Sequence, residues 1–138
     1  MSSNEVKAVV RRFYEEAWNK KNLSAVDELF AADFVSRSSL PGVAPDREGL
    51  KQWIAGTASA FPDIQFTIDD QVAEGHTVTT RWTSRGTHEG EFMGIPATGK
   101  AITVTGISIN HVSDGKIRDS WVEWSALGLM QQLGAVPA

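Results

Sequence analysis

Four short polar side chains, Ser84, Ser108, Asn110 and Ser120, sit in segments where apolar and polar residues alternate. A polar side chain carried into a sheet interior must either bond a neighbour or meet a ligand or water. These positions are therefore where the chain can hold a small molecule through uncharged hydrogen bonds, unless the four satisfy one another. Proton transfer would need a group of suitable pKa. The histidines are dispersed: His76 beside a turn glycine, His88 at a strand end near Glu91, His111 within a strand. None forms His-Glu-x-x-His or a facial triad, so no metal site is expected. Gly75, Gly86, Gly90, Gly94 and Gly99 form neither the Gly-x-Gly-x-x-Gly turn nor a Walker loop, and no Gly-x-Ser-x-Gly elbow is present. Nucleotide binding and the commonest serine hydrolase chemistry lack support, and no cofactor is expected. The chain contains 5 tryptophans, which suit a flat or cyclic apolar ligand and suit ordinary core packing as well.

The carrier of these residues is a chain of 138 residues with 41% hydrophobic content, which predicts a single domain over 1–138 with one sizeable core. Its 13 basic and 17 acidic residues give a formal net charge of -4. That balance lacks the basic footprint of a nucleic-acid binder and offers no attraction to an anionic membrane. Without cysteine there is no disulfide frame, thiolate metal site or cysteine nucleophile. The first residues resemble no leader and no apolar run reaches a membrane span, so a cytoplasmic protein is expected.

Val6, Val9, Val10, Phe13, Tyr14, Ala17 and Trp18 mark one face of a helix that starts near residue 3 and ends by the polar run 19–22. Leu23, Val26, Leu29 and Phe30 mark a second, shorter helix, and 33–39 reads as a short extended piece before the turn at Leu40-Pro41-Gly42. From a cap at Asp46, the residues Leu50, Trp53, Ile54, Thr57 and Phe61 predict a third helix that Pro62 ends. The period then changes from 3.6 to 2. Strands are predicted around Ile64, Phe66 and Ile68, over 78–87, over 102–112 and over 116–124. Asp114-Gly115 suits a type I′ hairpin between the last two. A short helix over 126–133 stops at Gly134. Helices followed by strands predict an α+β fold.

Several motifs then resemble one family together: Phe61-Pro62-Asp63, Arg81-Trp82, Gly86-Thr87-His88, Gly90-Glu91-Phe92-Met93-Gly94-Ile95-Pro96, Thr98-Gly99-Lys100, Asp114-Gly115-Lys116-Ile117 and Gln131-Gln132-Leu133-Gly134. The set is similar to the signature of SnoaL-like proteins, which are related to polyketide cyclases within the nuclear transport factor 2-like superfamily. The resemblance implies a cone-shaped α+β barrel, its curved and mostly antiparallel sheet wrapped around N-terminal helices, with an apolar pocket and usually a homodimer.

In cyclases of this group an Asp near the end of the last strand acts as acid/base, helped by a His on the preceding strand. The resemblance puts Val122 at the Asp position and Ser108 at the His position, and Ser125 where relatives carry another Asp. Glu123 is the nearest carboxylate, one step out of phase, and enters the cone only through a shifted alignment or a bulge. With Ser108 and Val122 inward, Ile102, Val104, Gly106, Asn110, Ser120 and Trp124 share their face. The pocket is then expected to be lined by Tyr14, Trp18, Trp53, Trp82, Ser84, Ser108, Asn110, Ser120, Val122 and Trp124. Arg37 sits where relatives place a pocket-mouth His and is either an anion-binding group or a solvated arginine. Arg81 and Arg85 fall outward, able to pair with Glu123 or Asp69.

Three functional readings follow: an enzyme of the cyclase, isomerase or epoxide-hydrolase kind, a small-molecule binder or carrier without turnover, and a protein-interaction module. The partner expected for the first two is a small apolar or cyclic molecule. Thr103, Thr105, Ile107, Ile109 and Trp121 make an outer face that predicts a homodimer through the sheet.

Overall fold

The computed structural model describes residues 1–38 and 40–137. Helix α1 (Ser3–Arg12) begins at a capping box: Ser2 Oγ accepts from the Glu5 N–H and the Glu5 carboxylate accepts from the Ser2 N–H, both at 3.1 Å. The sequence predicts one α-helix to residue 19, but from Phe13 the helix widens into a π-helical segment, Phe13–Asn19. The Lys20 N–H bonds the Glu15 carbonyl at 3.0 Å, five residues back. Lys21 ends the segment at φ 59°, its ammonium donating to the carbonyls of Trp18 and Ile64 at 3.0 and 2.7 Å. The wider turn buries Phe13, Tyr14, Ala17 and Trp18 together. Their spacing fits a 3.6 period equally well, so the pattern alone reads as an α-helix.

Helix α2 (Ser24–Leu29) is shorter than its apolar pattern, because Phe30 already has strand geometry and opens β1 (Phe30–Ser36). The extended piece expected over 33–39 therefore begins earlier and ends by Ser36, while Ser39 lies outside the described residues. Pairing decides the boundary. Phe30 is in register with Ile117, and its ring meets those of Phe13 and Phe34 edge-on at 4.8 Å. Helix α3 (Arg47–Ala60) starts at Asp46, whose carboxylate accepts from the Gly49 N–H at 2.9 Å, and stops at Ala60, one residue short of the expected end, because Phe61, which precedes Pro62, has already left helical geometry.

Strands β2 (Gln65–Glu74), β3 (Thr77–Thr87), β4 (Ala101–Ser113) and β5 (Lys116–Trp124) complete one curved, unclosed sheet of order β1-β5-β4-β3-β2. All its pairings are antiparallel except β1 with β5. Buried residues of the N-terminal helices, α3 and the sheet form one hydrophobic cluster. Helix α4 (Ala126–Leu133) adds Leu129 and Leu133 to that cluster and ends at Gly134 with φ 79°.

Along β4 the burial alternates without a break, Ile102, Val104, Gly106, Ser108 and Asn110 inside and their neighbours outside. The β4–β5 hairpin turns through Asp114 at φ 54° and Gly115 at φ 74°, the two left-handed positions of a type I′ turn. Val112 pairs with Ile117, but His111 pairs with Asp119, so Arg118 is an extra residue in the ladder. A ladder without that bulge would set Trp121 opposite Ser108 and Glu123 opposite Gly106, both inward. The bulge instead pairs Ser108 with Val122 and Asn110 with Ser120. A bulge is present, then, and it turns Glu123 out of the cone rather than into it. The Arg118 guanidinium holds the position, bonding Ser113 Oγ at 3.0 Å and Asp114 at 3.3 Å.

Between α3 and β2, the Asp63 carboxylate accepts from the Thr87 hydroxyl at 2.8 Å and the Thr87 N–H at 2.7 Å. Those bonds hold its carboxyl below the ordinary aspartate range. A carboxylate favoured in the folded state adds stability at neutral pH that is lost as pH falls through the lowered folded pKa. Asp63→Asn is expected to lower the melting temperature at pH 7 and to flatten its decline below about pH 4. Melting curves of the two proteins coinciding at every pH would contradict this role.

Candidate functional site

A cavity of about 170 Å³ lies between the helices and the inner face of the sheet. Tyr14, Trp18, Trp53, Trp82, Ser84, Ser108, Asn110, Ser120, Val122 and Trp124 all line it. Arg37 is not among its lining residues. Past the end of β1, the Arg37 N–H bonds the Ser120 carbonyl at 2.8 Å and its guanidinium faces Asp119 at 3.5 Å. Asp119 also contacts His111 Nδ1 at 2.8 Å. The Arg118 bulge sets Asp119 opposite His111.

The aromatic wall is built by register. Ile68, Trp82, Gly106 and Trp124 form one row across β2, β3, β4 and β5. A Cβ on Gly106 would lie 2.2 Å from the Trp82 ring, so the missing side chain is what allows the indole to lie over β4. Phe66 joins the rings from the helix, with centroids 4.6 Å from Trp18, 4.9 Å from Trp82 and 5.6 Å from Tyr14. On the other side Trp53 meets Phe92 at 5.7 Å and Trp124 at 6.3 Å. Phe92 gets there through a tight turn, Met93 at φ 50° and Gly94 at φ 81°, closed by paired backbone bonds between Phe92 and Ile95. Sequence reasoning did not assign Phe13, Phe66 or Phe92 to the site. Phe66 could have been found, since its place in the Ile64-Phe66-Ile68 alternation puts it on the inner face. Phe92 lies in an irregular loop with no period to reveal it.

Polar groups are few. Tyr14 Oη and Ser108 Oγ share a hydrogen bond of 2.7 Å, while Asn110 Oδ1 is buried with no partner among the described residues. Ser38 Oγ accepts from the Val122 N–H at 2.7 Å. Tyr14 is the sole ionisable side chain in the lining among the described residues. Burial pushes its phenol up to about 12, a shift that the Ser108 bond partly offsets. As the chain has 1 tyrosine, tyrosinate absorbance reads this group alone. Ionisation in the folded protein is expected only near pH 12, and stability should fall as pH rises from about 10 toward that value. A transition near pH 10 in folded protein would show a solvated phenol.

On the outer face Arg81 faces Asp69 at 3.8 Å, and Glu123 borders the same groove. His88 is buried, stacked on Phe61 at 5.2 Å and bonded through Nδ1 to Thr98 Oγ1 at 2.9 Å, and so braces the loop that carries Phe92. Among the described residues no three His, Asp or Glu side chains gather as a metal-binding group, and no helix is long and apolar enough to cross a membrane.

The sequence profile of SnoaL-like polyketide cyclases matches residues 8–133. The chain belongs to that family. Solved structures of similar proteins share the SnoaL-like fold over nearly its full length. TsrD from Streptomyces laurentii is 31% identical with a TM-score of 0.89, covering 99% of each chain. IdmH from Streptomyces antibioticus, described as a proposed polyketide cyclase, is 34% identical with a TM-score of 0.82, covering 94% of this chain and 98% of its own. AclR from Streptomyces galilaeus, described as a proposed hydroxylase, is 28% identical with a TM-score of 0.87, covering 99% and 85%. No curated protein matches the chain. In this member Val122 and Ser108 face each other across β5 and β4 in the cavity wall.

Proposed function

We propose that this SnoaL-like protein binds one uncharged, ring-bearing small molecule in the cone and holds it by aromatic contact and neutral hydrogen bonds. The observation that carries this reading is the lining itself: apolar and aromatic side chains, seven hydroxyls and one amide, with no Asp, Glu, His, Lys or Arg in it among the described residues. An anion placed there would lose its hydration without gaining a cation. The volume suits a single ring with a short substituent, since dry cavities near 150 Å³ take up benzene. Acetophenone should therefore raise the melting temperature in proportion to the logarithm of its concentration, and benzoate should not. Equal stabilisation by both, or by neither, would refute the reading.

Family membership favours a second reading, a cyclase-type enzyme in which the cone folds a flexible substrate into its reactive shape. The two part on turnover. Conversion of a linear poly-β-carbonyl compound above its rate in buffer supports the enzyme, and saturable binding without conversion supports the carrier. Epoxide-hydrolase chemistry is not adopted, as Arg81, Asp69 and Glu123 stand on the outer side of the sheet.

A homodimer and a cytoplasmic address belong to the same proposal. Val72, Thr79, Ile109 and Trp121 form a row across four strands on the outer face, with Ile107 beside it. Val72, Ile107, Ile109 and Trp121 are all exposed, an apolar surface that a second copy would cover by a two-fold contact. Light scattering at micromolar concentration should give a dimer for the native chain and a monomer for Ile109→Asp. A native monomer would remove the idea.

A further inference from the structure

The Tyr14–Ser108 pair has one hydrogen too many. Each residue carries one O–H, and their mutual bond of 2.7 Å consumes one of the two. Among the described residues neither oxygen has another partner, and both side chains are buried. Whichever hydroxyl donates within the pair, the other O–H is bonded to no acceptor among the described residues, Asn110 Oδ1 of the same wall included. A buried donor without an acceptor is costly, so the arrangement calls for an acceptor supplied from the cavity. The phenol comes from the π-helical segment, in which Phe13, Tyr14, Ala17 and Trp18 are all buried. Ser108 is fixed by the unbroken alternation of β4 and by its pairing with Thr80 and Val122.

We propose that Tyr14 and Ser108 form a two-hydroxyl donor that receives the carbonyl oxygen of an uncharged ketone bound in the cone. This inference rests on the neutral-ligand reading above and adds the group that is recognised. A carbonyl oxygen only accepts, so it takes up the surplus hydrogen without bringing a new donor that would itself need a partner. A ligand hydroxyl brings such a donor and fits only if it also reaches the unpartnered Asn110 Oδ1, whereas a carboxylate brings a charge for which the lining has no cation. In the bound state one hydroxyl donates to the other and the second donates to the ketone, a chain in which each bond strengthens the next.

Three probes of one skeleton test this directly: ethylbenzene, 1-phenylethanol and acetophenone. Acetophenone is expected to bind about threefold to tenfold more tightly than ethylbenzene, the range of one net hydrogen bond. The carbonyl stretch of bound acetophenone should move to lower frequency than in an apolar solvent. Tyr14→Phe and Ser108→Ala each retain one O–H, so some preference and some shift should persist in each. The double variant should bind acetophenone and ethylbenzene alike and return the stretch to its apolar-solvent position. A purely structural pair would weaken all probes together and leave the stretch of the native complex at that position, which overturns the proposal even if the double variant does not fold. Tighter binding of 1-phenylethanol than of acetophenone also overturns it, in favour of a hydroxyl ligand. Equal binding of all three overturns the carbonyl assignment and leaves the neutral-ligand reading standing, whereas binding of none removes both.

Discussion

Gly106→Ala is expected to lower the melting temperature by roughly 10 °C and to weaken binding of an uncharged aromatic ligand by at least about tenfold, as overpacking of a closed site costs up to about 3 kcal/mol. The added methyl carbon would lie 2.2 Å from Trp82 Cζ2 and 2.6 Å from two further indole atoms. Contacts that short are not relieved by a small rotation, so the indole must leave β4. Movement toward the cavity takes ligand space, and movement toward the outer groove exposes a large ring. Phe66, which packs on both Trp82 and Trp18, would have to follow. Trp82→Leu in the same chain should restore much of the lost stability, because the three nearest atoms that the added methyl meets all belong to this indole. The two changes should thus be strongly non-additive. Strictly additive melting temperatures, or a Gly106→Ala protein as stable as the native one, would show that the indole does not occupy this place.

A second large effect is expected from Val122→Asp, which puts a carboxylate into the wall of the cone. Here Val122 faces Ser108, and no cationic side chain lines the cavity among the described residues. An unpaired carboxylate there should cost about 3 kcal/mol at neutral pH and titrate above the ordinary aspartate range. The sign is opposite to that of Asp63. With the folded pKa raised, the variant is weakest above that pKa and recovers as pH falls and the acid becomes neutral. Melting curves at pH 7 and pH 4.5 should therefore show a large deficit at the higher pH and a small one at the lower. A deficit equal at both would mean that the site is already solvated.

Much of this arrangement is legible in the sequence, because it rests on long periodic segments. Alternation along 102–112 puts Ser108 and Asn110 on one face with Ile102 and Val104, and the Asp114-Gly115 turn joins that strand to the next. What periodicity does not reveal are the departures from period. Arg118 is one inserted residue that looks like any other strand position, yet it decides that Ser120, Val122 and Trp124 enter the cone and Glu123 does not. The widening at Phe13 is hidden because its buried residues satisfy two helical periods at once. Phe30 reads as helical by spacing and becomes a strand residue through pairing with Ile117, a partner 87 positions further on. The resemblance leaves Arg37 either an anion-binding group at the pocket mouth or a solvated arginine; it stands half-exposed past the end of β1, facing Asp119, a neighbour that only the tertiary fold supplies.

The central claim is that the cone receives an uncharged ring among Tyr14, Trp53, Trp82 and Trp124. Crystals of the protein soaked with bromobenzene test it most directly, because anomalous scattering locates the bromine without reference to the surrounding density. The account predicts one strong bromine peak inside the cone, bounded by these side chains. Bromine confined to the outer sheet face around Ile109 and Trp121, with the cone empty of it, would contradict the account.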